Sequence, residues 1–155
     1  RGVESDDSLM AHGEWTPQGG ANAMRALLAA RPDVDAVLAY NDAMALGATV
    51  AARECGRSIG HDMGLVGFDD APESLCTEPP LSTVHQDTFS LGQEAVHALV
   101  RLIDARASGA PLPPPVLILS RPTLVVRASS LRGANDAPSV MQTRTPTVRV
   151  AAPWR

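Results

Sequence analysis

Two short apolar runs, Ala36-Val37-Leu38-Ala39-Tyr40 and Gly64-Leu65-Val66-Gly67-Phe68, bracket an alanine-rich stretch of helical length from Asp42 to Cys55. Five apolar residues between polar or turn-forming segments suit a strand, and strand–helix–strand is the βαβ unit. Its crossover makes the two strands parallel. Parallel strands end on the same edge of the sheet, so the polar residues that follow each run, Asn41 and Asp69, share one rim. In open α/β sheets the rim at the carboxyl ends of the strands is where small molecules bind. The pattern predicts an α/β fold built on a parallel sheet with a ligand-facing edge.

A chain of 155 residues, 45% of them hydrophobic, is large enough for one domain with a core of its own. No apolar stretch approaches the roughly 18 to 20 residues of a membrane span. The chain opens at Arg1 with neither a methionine nor a charged-then-apolar leader, and the expectation is a removed leader or a piece of a longer protein. Net charge is −4, and all 13 basic residues are arginine. Over residues 1–130, 9 Arg face 16 Asp and Glu, a balance of −7. Such a surface repels phosphate, whereas a self-sufficient DNA-binding domain carries a basic patch. Cys55 and Cys76 lack C-x-x-C spacing and read as buried or half-buried free thiols.

Chemistry-bearing motifs are few. His12, His61, His85 and His97 are spread without metal-ligand spacing. The G-x-S-x-G string Gly56-Arg57-Ser58-Ile59-Gly60 follows the helical stretch and not a strand, so it makes no nucleophile elbow; there is no phosphate-binding G-x-x-x-x-G-K-[ST] loop and no lysine for a Schiff base. Asp69 and Asp70 are adjacent, and neighbours on an extended chain point apart, which does not make an acid–base pair. The residues suit recognition, with no enzyme activity, metal or cofactor expected.

Thr16-Pro17 reads as an N-cap followed by the first helical residue, and Ala21, Met24, Leu27 and Leu28 continue at helical spacing until Arg31-Pro32. Gly19-Gly20 weakens the first turn. Leu9 to His12 reads as a short strand, on which His12 and Glu14 alternate. The stretch from Asp42 to Cys55 closes on Gly56 and offers Met44, Ala45, Ala48, Thr49 and Ala52 as a face for close packing. A strand is expected near Ser82 to His85, then an amphipathic helix from about Thr88 to Arg106 with Leu91, Ala95, Leu99, Leu102 and Ile103 as its stripe. Val116–Leu119 and Leu124–Val126 are strand-like. Residues 131–155 carry four Arg, one Asp, three Pro and no sustained period, and read as a disordered tail.

Five blocks carry a family resemblance. Gly13-Glu14-Trp15-Thr16, Tyr40-Asn41-Asp42-Ala43-Met44-Ala45-Leu46-Gly47-Ala48, Val66-Gly67-Phe68-Asp69-Asp70, Pro79-Pro80-Leu81-Ser82-Thr83-Val84-His85-Gln86 and Leu124-Val125-Val126-Arg127-Ala128-Ser129-Ser130 resemble the LacI/GalR bacterial transcriptional regulators in order and spacing, over about residues 9–130. The resemblance implies a periplasmic-binding-protein-like core of two lobes, of which this chain holds a later part. Residues 9–86 would be most of the C-terminal lobe, 87–120 a helix and strand of the N-terminal lobe, and 121–130 a return strand. It further implies a cytoplasmic homodimer that senses a small-molecule effector, a sugar or polyol. Operator DNA would be bound only through an N-terminal helix-turn-helix that these residues do not include. A periplasmic sugar-binding protein of a transport system shares the architecture and is the alternative. Tyr40 stands where the family usually has a small residue.

Trp15, Asn41, Asp69 and Gln86 are the candidate ligand residues, each placed just after an expected strand. Asp69 can accept from two hydroxyls, Asn41 and Gln86 can donate and accept, and Trp15 offers an apolar face to a sugar ring. Each has a plainer reading: Asn41 as a helix cap, Asp69 as a turn residue, Trp15 as packing, Gln86 as a strand-end surface residue. Asp42 and Asp70 read as structural hydrogen-bonders, and Asp70 as dispensable for binding. Self-association is expected through the helix from Asp42, by way of Met44, Ala48 and Ala52, and through the segment after Asp70.

Overall fold

Pro17–Ala30 forms helix α1, started by Thr16, whose Oγ1 accepts from the Gly19 amide at 3.0 Å. The computed structural model describes residues 6–131, 141–142 and 148–150. The chain divides into two compact units, Arg1–His85 with Leu124–Thr143, and Gln86–Thr123 with Arg144–Arg155.

In the first unit, Ala36–Leu38 is strand β1, Asp42–Glu54 helix α2 and Gly64–Val66 strand β2. β1 and β2 pair in parallel with Ala36 opposite Gly64 and Leu38 opposite Val66, as the strand–helix–strand pattern requires. Thr83–His85 is strand β3. Parallel bridges Val66–Ser82 and Asp69–His85 set it beside the chain of β2, so the three segments run the same way. β5 (Thr123–Val126) lies on the other side of β3, and Met141–Gln142 pairs antiparallel to it.

The core lies between the helices and β2. Met63 and Leu65 are fully buried, with Ala45, Ala51 and Ala52. Burial of a side chain such as Leu65 contributes about 1.5 to 3 kcal/mol relative to exposure. The two helices meet closely because of glycine: a Cβ on Gly20 would run into the Met44 backbone, and one on Gly47 into the Pro17 carbonyl. Gly19-Gly20 thus costs α1 some helix propensity and permits the contact that holds it.

The small-residue face of α2 is consumed inside this unit. Met44, Ala48 and Ala52 are all buried, so the expected route to self-association through them is incorrect. The outward residues on these elements include Val50 on α2 and Leu75 in the 3-10 turn Pro72–Leu75. Leu9 to His12 is not a strand either. Asp7–Leu9 is a 3-10 turn, and Met10 is extended but outside any strand. Both cysteines are exposed free thiols, where burial was expected.

In the second unit, Asp87 caps helix α3 (Thr88–Ser108) through the Ser90 amide, and Gly109 ends it in the left-handed conformation at φ 67°. The helix is as expected, but its stripe is not covered: no residue of α3 is buried. Leu117–Leu119, strand β4, pairs antiparallel with Val148–Val150. The rest of the tail expected to be disordered lies outside the described residues. No described helix is long and apolar enough to cross a membrane.

Candidate functional site

The parallel pairing continues one step past the strands. Ala39 N–H donates to the Val66 carbonyl at 2.8 Å, and Asp42 N–H to that of Phe68 at 2.8 Å. Asn41 and Asp69 therefore leave the sheet side by side at the carboxyl ends of β1 and β2.

Asn41 has two partners. Its Oδ1 accepts from the Met44 amide at 2.8 Å, capping α2, and its Nδ2 donates to the Trp15 carbonyl at 3.3 Å. The cap reading holds, and the same amide also ties the loop before α1 to the rim. Trp15 sits at φ 59°, its ring edge-on to Tyr40 with centroids 4.1 Å apart, and both rings are exposed. The Tyr40 that departs from the family pattern thus extends an aromatic surface beside Asn41.

Asp69 is exposed, with φ 111°, and Asp70 follows at φ 57°. Left-handed backbone in a non-glycine residue costs of order 1 to 3 kcal/mol and persists only where surrounding contacts over-determine it. Here the Asp69 amide donates to the Val84 carbonyl at 2.9 Å and that of Asp70 to Thr83 Oγ1 at 3.2 Å. Trp15, Asn41 and Asp69 are all brought to the same rim. Gln86 directly follows β3 and is the first residue of the second unit.

Beneath the rim lies a polar network that the motif reading missed. Asp42 is buried, accepting from Thr83 Oγ1 at 2.6 Å and the Ala71 amide at 2.8 Å. Burial pushes its carboxyl pKa above the ordinary 3.8; the two hydrogen bonds oppose that, and the nearby charges of Asp69 and Asp70 add to it. Asp70 accepts from Arg127 Nη2 at 2.7 Å and pairs with His85 Nδ1 at 3.0 Å. Arg127 is itself buried, its Nη1 bonded to Ser74 Oγ and the Leu81 carbonyl. Asp70 is thus paired with a buried arginine, in keeping with its reading as a structural hydrogen-bonder. The available signal was an arginine directly after the apolar run Leu124-Val125-Val126, where a charge has to find a partner.

Among the described residues there is no cluster of three or more His, Cys, Asp or Glu side chains able to hold a metal ion. The rim offers one exposed carboxylate, an amide and two aromatic rings. That set can bind hydroxyls and the apolar face of a ring, and it places no nucleophile beside a general base.

A family profile described as a periplasmic binding protein-like domain matches residues 2–130. The chain belongs to the LacI/GalR family, in its periplasmic-binding-protein-like part. It is 39% identical over 128 residues to the HTH-type transcriptional regulator CelR of Thermobifida fusca, covering 83% of this chain and 36% of that protein. With the lactose operon repressor of Escherichia coli it shares 36% identity over 131 residues, 84% of this chain and 36% of the repressor. Among solved structures, a transcriptional regulator CelR–cellobiose complex superposes with TM-score 0.71 at 36% identity, over 83% of this chain and 38% of that one. The Escherichia coli transcriptional repressor ascG gives 0.70 at 30% identity, over 84% and 45%. The chain spans little more than a third of the length of the curated relatives it matches, a transcriptional regulator and an operon repressor.

Proposed function

We propose that this chain is the effector-sensing portion of a LacI/GalR-type transcriptional regulator and that its effector is a sugar or polyol. The observation that carries the reading is the rim itself. Asn41 and Asp69 stand side by side at the carboxyl ends of parallel strands, the Asn41 amide holds the Trp15 carbonyl, and Trp15 and Asp69 both adopt positive φ. Gln86 is added as a fourth ligand residue by its place directly after β3. A polyhydroxy ligand matches these groups: hydroxyls donate to the Asp69 carboxylate and exchange hydrogen bonds with the amides, and the ring packs on Trp15 and Tyr40. One relative of known structure is described as a cellobiose complex.

The activity is binding without reaction. In the whole regulator the effector acts as a population shift, by preferring one of two conformations. We read the first unit as most of the C-terminal lobe and the second as a segment of the N-terminal lobe. The protein works in the cytoplasm as a homodimer, the form in which the lac repressor has been solved on its operator. Operator DNA is bound by a helix-turn-helix segment that these 155 residues do not supply. This chain alone should give no sequence-selective band shift at about 0.15 M salt, where its acidic balance is only partly screened.

The experiment is a panel of sugars, polyols and purines, cellobiose included, read by thermal melting of the chain joined to flanking regulator sequence. A true effector at a hundredfold excess over Kd stabilises the folded state by about 2.7 kcal/mol. A response to a purine alone would reassign the ligand class, and no response to any member would overturn the sensing role.

A further inference from the structure

Asp69 and Asp70 are consecutive non-glycine residues at φ 111° and 57°, so the direction in which Asp69 leaves the sheet depends on whatever holds the turn. The holding contacts converge on Asp70. Its carboxylate takes Arg127 Nη2 on one oxygen and His85 Nδ1 on the other, and its amide donates to Thr83 Oγ1. Arg127 does not move freely to follow it. The guanidinium is buried and also bonded to Ser74 Oγ and the Leu81 carbonyl, and the Arg127 amide donates to Ser82 Oγ at 2.7 Å.

We propose that Arg127 and Asp70 are positioning residues for the ligand rim: their buried ion pair keeps Asp69 in left-handed backbone and so decides where its carboxylate stands. The physical reason is that a planar, anchored guanidinium fixes the Asp70 carboxylate in direction as well as distance. With one carboxylate oxygen on Arg127 and the other on His85, Asp70 cannot swing to extended backbone without breaking both contacts. The value of that placement to a ligand rests on the function proposed above, while the conformational claim does not.

The test uses the full 155-residue chain, isotopically labelled, and the strong amide–Hα cross-peak within one residue that marks positive φ. D70N is the informative variant, because asparagine tolerates the left-handed region as aspartate does and only the charged acceptor is lost. D70N and R127M should each lose the Asp69 cross-peak while the Leu65 and Leu81 methyl signals of the core stay in place. R127K, which keeps the charge, should restore part of it. Retention of the cross-peak in D70N would overturn the proposal, and D70N decides alone if R127M does not fold. Cellobiose added to D69N, in the chain joined to flanking regulator sequence, separates the two ideas: binding equal to that of the unsubstituted protein would remove Asp69 from the ligand site and leave the D70N result to judge the positioning.

Discussion

The side-chain amide of Asn41 donates to the Trp15 carbonyl across 3.3 Å, linking residues 26 positions apart in the chain while its oxygen caps α2. One residue therefore serves both helix stability and rim geometry, and substitutions can pull the two apart. Asn41→Ala should lose the cap, about 1 kcal/mol, and lower the melting temperature by about 2 to 4 °C in a chain of this size. Asn41→Asp keeps an acceptor for Met44 but sets a carboxylate against the Trp15 carbonyl. It should melt near the unsubstituted chain and bind effector more weakly. Thermal melting and calorimetry on both variants check this, and equal affinity in all three proteins would leave Asn41 as a cap only.

Asp69 carries the charged acceptor of the rim, and hydrogen bonds to charged groups contribute about 1.5 to 3 kcal/mol each. Asp69→Ala should weaken effector binding roughly 10- to 1,000-fold. Asp69→Gly tests the strain as well: glycine accepts positive φ, so this variant should gain up to about 1 kcal/mol of stability relative to Asp69→Ala while binding no better. Denaturant unfolding beside calorimetry gives both readings. Undiminished affinity in Asp69→Ala would make Asp69 a turn residue.

Asp42 is a buried carboxylate whose pKa in the folded state lies above the ordinary 3.8, burial being the main cause. In the pH range between those two values the native chain holds the proton more often than the unfolded one. Stability contributed by Asp42 is therefore full below about 3.8 and is lost as pH rises through the folded value. Asp6, Asp33 and Asp62 are shifted the other way, Asp6 and Asp62 first by hydrogen bonds to Ser8 and Ser58 and Asp33 by Arg31, so their contributions fall away on acidification below that window. Asp42→Asn should flatten the decline above pH 3.8. At neutral pH it should still cost about 1 to 3 kcal/mol, because one of the donors Thr83 and Ala71 is left without an oxygen. Denaturant midpoints across pH 4 to 7 would show it, and an unchanged slope would exclude Asp42 as its source.

The homodimer proposed above has to use a face other than Met44, Ala48 and Ala52, which are buried. Val50 on α2 and Leu75 in the following segment are both more than half exposed. Val50→Asp with Leu75→Asp should shift sedimentation from dimer toward monomer without changing the melting of the first unit. An unshifted dimer would place the interface elsewhere.

The βαβ order, the parallel pairing of 36–38 with 64–66 and the caps at Thr16 and Asn41 were legible in the chain, because each depends on local periodicity and on residue types with narrow backbone roles. So was the rim that Asn41 and Asp69 share, which follows from parallel strands alone. Other features were decided by residues distant in sequence. The Leu9 to His12 run has strand-like composition, but a strand exists only where a neighbour offers its backbone. The small face of α2 reads equally well as interface or core, and the glycine contacts with α1 made it core. The apolar stripe of α3 was legible as a pattern, but which surface it meets is not written in the helix. Arg127 meets Asp70 across 57 positions, and no local rule pairs them. Buried charges find partners through the fold, so periodicity located the rim residues while tertiary structure determined what holds them in place.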